Sequence, residues 1–166
     1  MATKNQHMDI EMVEVASLRH IEGFSRRRVS WLVSKIQAEG VWTKPLVVDR
    51  AHHLVMDGQH RMEVAKLLGM AAVPALLYDY ADVDVWSLRP EHYTVSAEEI
   101  IARGLRGEIY PYKTAKHRFP CGDLPELAIP LDTLVESRKN GRPLSPRTEQ
   151  NVISINPGSG RKLRCA

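Results

Sequence analysis

The stretch "LVMDGQHRMEVAKLLGM", residues 54–70, sets Asp57, Gly58, Gln59, His60 and Arg61 between an apolar run and a helical pattern. Leu54, Val55 and Met56 read as the end of a strand, and Met62, Ala65 and Leu68 recur at helical spacing before Gly69. The polar residues therefore fall where a strand gives way to a helix. A helix start presents unpaired N–H groups and a partial positive charge, and His60 and Arg61 add donors at the same end. Gly58 lets the backbone come close to whatever binds there. The pattern suits an anion, most simply phosphate, although the same residues also describe a plain turn followed by a solvated helix.

Outward from that stretch, "PLVVD" and "HLVMD" flank a short turn and read as paired strands, and "AVPALLYDY" reads as a buried strand. Upstream, "EMVEVASL" alternates like a half-buried strand, "RHIEGF" is a loop, and Ser25 caps a helix whose Val29, Leu32, Val33 and Ile36 share a face up to Gly40. Downstream, "VDVWSL" suggests a further strand. "SAEEIIARGLRG" is a helix capped by Ser96 with acids in its first turn, "EIYPYKTAKHRFP" has no clean period, and "LAIPLDTLVE" reads as a short strand and helix. From Ser137 the chain is rich in Arg, Lys, Asn, Gly, Pro and Ser. The expected organisation is one domain over residues 1–136 and a flexible basic tail over 137–166.

Composition permits this and narrows the function. The 166 residues, 43% of them hydrophobic and 26% charged, suffice for one core. A net charge of +3 is too mild for a protein that works mainly on nucleic acid. Cys121 and Cys165 have no CxxC spacing, so neither a zinc site nor a disulfide framework is indicated, and a reducing cytoplasm is the expected compartment. No window is long and apolar enough for a membrane span, and the N-terminus has no signal-peptide pattern.

Two further clusters carry potential chemistry. "KTAKHR", residues 113–118, packs Lys113, Thr114, Lys116 and His117 into an irregular segment after Tyr110 and Pro111. Such a density of donors holds a polyphosphate or a carboxylate, or makes an ordinary basic loop. Glu22, in the loop before the first helix, is a general base or an ordinary exposed acid.

The succession "VASLRHIEGF", "AEGVWTKPLVVDR" and "LVMDGQHRMEVAKLLGMAAVPALLYDY", within residues 11–80, resembles the ParB/sulfiredoxin superfamily core. That resemblance implies an α+β fold, a small mixed sheet flanked by helices. Sulfiredoxins place a catalytic cysteine just before the His-Arg pair, where this chain has Gln59, so thiol chemistry is not expected. Partition proteins continue into a helix-turn-helix, and nothing after Tyr80 shows a recognition-helix pair. The third branch is the free L-serine kinases of archaea and of siderophore gene clusters. "TVSAEEIIARGLRGEIYPYKTAKHRF" is similar to that branch's helix leading to "LYPPKTTRH", with Tyr112, Ala115 and Lys116 departing from the commoner Pro, Thr and Arg. The resemblance then covers roughly residues 11–135.

It implies phosphorylation of free L-serine or a close analogue to O-phosphoserine, with ATP or ADP as donor and Mg²⁺ as cofactor. Glu22 matches the family's His-Glu loop, with Ile21 intervening after His20, and is expected to take the hydroxyl proton. Asp57 is expected to contact Mg²⁺ or handle a proton, and Gly58, Gln59, His60 and Arg61 to cradle nucleotide phosphates. Lys113, Thr114, Lys116 and His117 are expected to neutralise the charge of product and donor. The other reading is a nucleotide- or metabolite-binding regulator without turnover, using the basic residues Arg138, Lys139, Arg142, Arg147, Arg161, Lys162 and Arg164. Two acids beside a phosphate site favour the enzyme, because a pure anion binder gains nothing from them.

Overall fold

Leu46, Val47 and Val48 have no accessible surface, and a strand buried on both faces needs a layer on each side of its sheet. A computed structural model, describing residues 10–139, shows how both layers are supplied. Strand β1 (Ile10–Glu14) is followed by a short 3₁₀ turn, the loop carrying Glu22, and helix α1 (Arg26–Glu39). Then come β2 (Val41–Trp42), β3 (Leu46–Asp49), β4 (Val55–Asp57), α2 (Gln59–Leu67) and β5 (Ala72–Tyr78). The remainder is β6 (Asp84–Ser87), α3 (Ala97–Arg106), β7 (Ala115–Arg118), β8 (Ile129–Pro130) and α4 (Leu131–Lys139).

The four-stranded sheet has the order β1-β5-β3-β4. The β1–β5 and β3–β4 pairs are antiparallel, while β5 and β3 run parallel with Leu46 opposite Ala75. This is the mixed sheet expected. Alternation along the strands sends Leu46, Val48 and Val55 to one side, where they pack with Val29 and Ile36 of α1 and Met62 and Ala65 of α2. Val47, Leu54 and Met56 face the other side and meet Ile100 of α3, Tyr80 and Tyr110. Two small antiparallel ribbons, β2–β8 and β6–β7, flank the main sheet.

The capping residues behave as their chemistry requires. Ser25 Oγ accepts from Arg28 N–H at 3.2 Å, Ser96 Oγ accepts from Glu99 N–H at 3.1 Å, and Gly40 closes α1 in the left-handed region at φ 67°. One element escaped the periodicity. Residues 115–118 form a strand rather than a loop, because their backbone pairs with β6, with His117 opposite Val85 and Lys116 opposite Trp86. Helix α4 runs to Lys139, past the expected boundary at residue 136. The tail expected beyond it lies outside the described residues, as do Arg142, Arg147, Arg161, Lys162, Arg164 and Cys165. Cys121 is buried and is not a free thiol. No helix among the described residues is long and apolar enough to cross a membrane.

Candidate active site

The strand-to-helix junction forms as its residues dictate. Asp57 ends β4, and Gly58 precedes α2 with φ 104°, a left-handed conformation. A Cβ at Gly58 would lie 3.0 Å from Leu46 Cγ and 3.2 Å from Arg61 Nη2, so both backbone and space require glycine. The following three side chains take different directions. Gln59 turns inward and is buried, donating from Nε2 to the Val55 carbonyl at 2.6 Å. His60 receives the backbone N–H of Ser25 on Nε2 at 3.1 Å, which leaves Nδ1 as its free donor. Arg61 donates to the Pro45 carbonyl and to Asp57 Oδ2, the latter at 3.1 Å. Gln59 and Arg61, expected as phosphate ligands, thus have side chains engaged in holding the junction together. The exposed Asp57 carboxylate and the His60 ring remain at the surface of the junction.

The loop before α1 reaches the same region from another direction. Main-chain bonds from Tyr110 N–H to the Ile21 carbonyl and from Gly23 N–H to the Tyr110 carbonyl, both 2.8 Å, lock it to the segment after α3. Glu22 then projects toward residues 113–115. Its Oε2 accepts the backbone N–H of both Thr114 and Ala115 at 3.1 Å. Lys113 sits at φ 58° and turns the chain so that these amides converge. Burial raises the Glu22 pKa above its ordinary value, while the amides of Ala115, Thr114 and Lys113 and the positive charge of Arg89 pull it back.

Two aromatic chains join the pieces. His20 stacks on Phe24 at 5.1 Å, Phe24 meets the edge of His60, and His60 meets Tyr112 at 5.5 Å. On the other side His117 stacks on Phe119 and tilts against Tyr80. His60 and His117 both feel the negative charge of Asp57, so Asp57, His60, Tyr112 and His117 form one neighbourhood. Burial and the charges of Arg28, His20 and Arg61 lower the His60 pKa. Burial pushes His117 down to about 4. With no anion bound, that favours the uncharged ring at neutral pH, so His117 offers a hydrogen bond more readily than a fixed charge. Thr114 is also fully buried, its hydroxyl donating to the Pro111 carbonyl at 2.7 Å, so the residue shapes the loop and its amide serves Glu22. Lys113 and Lys116 are exposed, with Lys113 Nζ 5.4 Å from the Tyr112 ring centroid.

Three residues near this site were given no role from the sequence. His20 lies between Gln59 Oε1 at 2.5 Å from Nδ1 and Glu63 Oε1 at 2.6 Å from Nε2, tying the loop that carries Glu22 to the first turns of α2. Burial works against the Glu63 carboxylate, yet hydrogen bonds from Lys66 and His20 hold its pKa below the usual range. Arg89 donates from Nη2 to the Tyr112 carbonyl at 2.9 Å. A lone arginine in a Pro-containing turn carries no sequence signal. Histidine two residues before Glu22 does carry one, but its partners lie 39 and 43 residues away.

The sequence profile of the ParB N-terminal domain matches residues 1–88. The chain belongs to the ParB N-terminal domain family. The match includes Glu22 and the Asp57–Arg61 junction and ends before Arg89. An ATP-dependent L-serine kinase of Staphylothermus marinus is 34% identical to this ParB-type chain over 84 residues, 48% of this chain and 33% of that protein. A second, from Desulfurococcus mucosus, is 30% identical over 84 residues with the same shares. The matched region therefore spans about a third of the length of these curated relatives. SbnI with a C-terminal truncation, from Staphylococcus aureus, has a similar structure, with a TM-score of 0.67 and 17% identity over 79% of this chain and 93% of that one. A free serine kinase in complex with AMP gives a TM-score of 0.67 and 14% identity over 78% of this chain and 95% of that one. These likenesses are of fold, and they extend beyond the ParB N-terminal match.

Proposed function

We propose that this ParB-type domain phosphorylates the hydroxyl of free L-serine, or of a close analogue, with ATP as donor and O-phospho-L-serine as product. The observation that carries the reading is the position of Glu22. It is an acid part-buried against a loop of backbone amides, beside a helix start whose geometry accepts phosphate. A simple anion-binding regulator has no use for a carboxylate there. The names of the two archaeal relatives, ATP-dependent L-serine kinases, support the substrate pair.

In this reading the donor phosphates lie over the α2 start, against the backbone at Gly58 and the free Nδ1–H of His60. Lys113 and Lys116, both exposed, offset the charge of the polyphosphate. Glu22 takes the proton of the serine hydroxyl as its oxygen bonds to phosphorus and the bond from phosphorus to the leaving phosphate oxygen breaks. The raised pKa of Glu22 makes it a better proton acceptor than an ordinary glutamate. Arg61, Gln59 and Thr114 keep these groups in place through their internal bonds.

Mg²⁺ fits at Asp57, an exposed carboxylate with only Oδ2 engaged by Arg61. One carboxylate suffices where substrate phosphates and water complete the shell, and no group of three or more acidic, His or Cys ligands exists among the described residues. When bound, the ion would neutralise charge on the phosphates. A kinase that draws on ATP is expected to work in the cytoplasm.

The direct test is to incubate the 166-residue chain with L-serine, Mg²⁺ and either ATP or ADP, and to follow phosphoserine by mass spectrometry. Phosphoserine is expected with ATP. Formation only with ADP would change the donor, and none with either nucleotide from folded protein would end the kinase reading.

A further inference from the structure

We propose that Arg89 binds the carboxylate of the acceptor and so makes the site select a hydroxy acid over a simple alcohol. The inference rests on the kinase reading and adds to it the residue that chooses the acceptor. Arg89 follows β6 in a turn that is firmly fixed. Leu88 N–H donates to the Thr114 carbonyl at 2.8 Å, Arg89 N–H donates to Ser87 Oγ at 3.0 Å, and the Arg89 carbonyl accepts from His92 at 3.0 Å and Tyr93 at 2.9 Å. The guanidinium then touches the loop that holds Glu22. Its Nη2 bonds to the Tyr112 carbonyl, two residues before Thr114 N–H reaches Glu22 Oε2. The Arg89 charge is also felt at Glu22.

Among the described residues Arg89 forms no ion pair, as is true of Arg19, Arg26, Arg27 and Arg28, but of these it alone has its charge felt at Glu22. Arg50, Arg61, Arg103, Arg106 and Arg118 each pair with a carboxylate, whereas among the described residues Arg89 bonds only to a carbonyl. A guanidinium fixed by one nitrogen keeps its other donors for a planar, bidentate partner such as a carboxylate. The acceptor must place its hydroxyl at Glu22. In a β-hydroxy amino acid the carboxylate is separated from that hydroxyl by only two carbons, so a cation next to the base is where it falls. Lys113 and Lys116 are flexible point charges facing outward, better suited to phosphate than to fixing a planar group.

The test compares the unsubstituted chain with Arg89→Gln and Arg89→Lys, measuring nucleotide affinity by calorimetry and steady-state phosphorylation of L-serine and of ethanolamine, which lacks the carboxylate. Arg89→Gln is expected to raise the KM for serine roughly ten- to a hundredfold, as loss of a charge-assisted hydrogen bond does, with nucleotide affinity unchanged. The preference for serine over ethanolamine should largely disappear, and Arg89→Lys should recover only part of it. A serine KM and a serine preference indifferent to Arg89 would overturn the assignment while leaving the kinase intact. Absence of serine phosphorylation by the unsubstituted chain would overturn both. If Arg89→Gln weakens nucleotide binding instead, the guanidinium belongs to the donor and the assignment fails.

Discussion

Glu22 and Thr114, 92 residues apart, meet through one hydrogen bond of 3.1 Å from the Thr114 backbone N–H to the Glu22 carboxylate. The donor is a main-chain group, so the bond depends on the path of the loop and not on the side chain at 114. The loop's path is fixed in turn by the left-handed turn at Lys113 and by the buried Thr114 hydroxyl. The carboxylate is thereby oriented, and among the described residues no salt bridge neutralises it, which leaves it available to a proton.

Glu22→Gln preserves the shape and an oxygen for the Thr114 and Ala115 amides but cannot accept a proton. We expect turnover to fall at least about a hundredfold with nucleotide affinity little changed, the signature of an interaction made in the transition state. Stopped or quenched assays alongside calorimetric titration of nucleotide check this. Near-normal turnover would remove Glu22 from the role of base.

The raised pKa of Glu22 also predicts a pH profile. Because burial lifts it above the ordinary value of 4.5, the carboxyl is protonated at a higher pH than a free glutamate, and kcat/KM should decline on the acid side with a midpoint above 4.5. For stability the sign is opposite. The ionised form is penalised in the folded state, so the group's contribution is favourable below 4.5 and is lost as pH rises through the folded value. Glu22→Gln should therefore be at least as stable as the parent at neutral pH, by thermal unfolding. A variant clearly less stable there would show that the ionised carboxylate stabilises the fold.

His117 gives the complementary dependence. With its pKa at about 4 in the folded chain against 6.5 when free, it stays neutral on folding while the unfolded chain takes up a proton between those values. Stability should fall as pH drops from 6.5 toward 4 and level off below, and His117→Phe, which keeps a ring against Phe119 and Tyr80, should lose that part of the slope. Urea unfolding across this range measures it. Parallel slopes for the two proteins would show that the ring is not kept neutral by the fold.

Gly58→Ala places a Cβ against Leu46 and Arg61 on a backbone at φ 104°. Strain and overpacking together should cost about 1–3 kcal/mol in denaturant unfolding. The substitution sits at the phosphate-facing junction, so nucleotide affinity should fall as well. Unchanged stability and affinity would mean that the backbone there adjusts freely.

Much of the fold was readable because its signals are local. Ser25 and Gly40 bound α1, Ser96 starts α3, and Gly58 with Gly69 brackets α2, each through backbone groups within a turn of the residue concerned. The apolar runs of β3 and β5 likewise follow from which faces must be buried, whereas β1 does not alternate as expected, with Met12 exposed and Val13 its one buried residue. Strand β7 was illegible, since Ala115–Arg118 is a strand only by pairing with β6, some 30 residues upstream.

The same division runs through the site. The sequence by itself determined which chemical groups gather at the β4–α2 junction, because Asp57, Gly58 and His60 are neighbours in the chain and the helix start follows from them. Tertiary structure alone decided which of them face outward. Gln59 and Arg61 turn to Val55, His20 and Pro45, and those partners are brought close only when the sheet and α2 pack. Tertiary structure also brought Glu22 to the amides of 113–115 and Arg89 to Tyr112, and its burial of His117 lowers that ring's pKa. Hydrogen bonding and desolvation act over a few ångströms in space whatever the separation in sequence, so the roles of these side chains exist only in the folded chain.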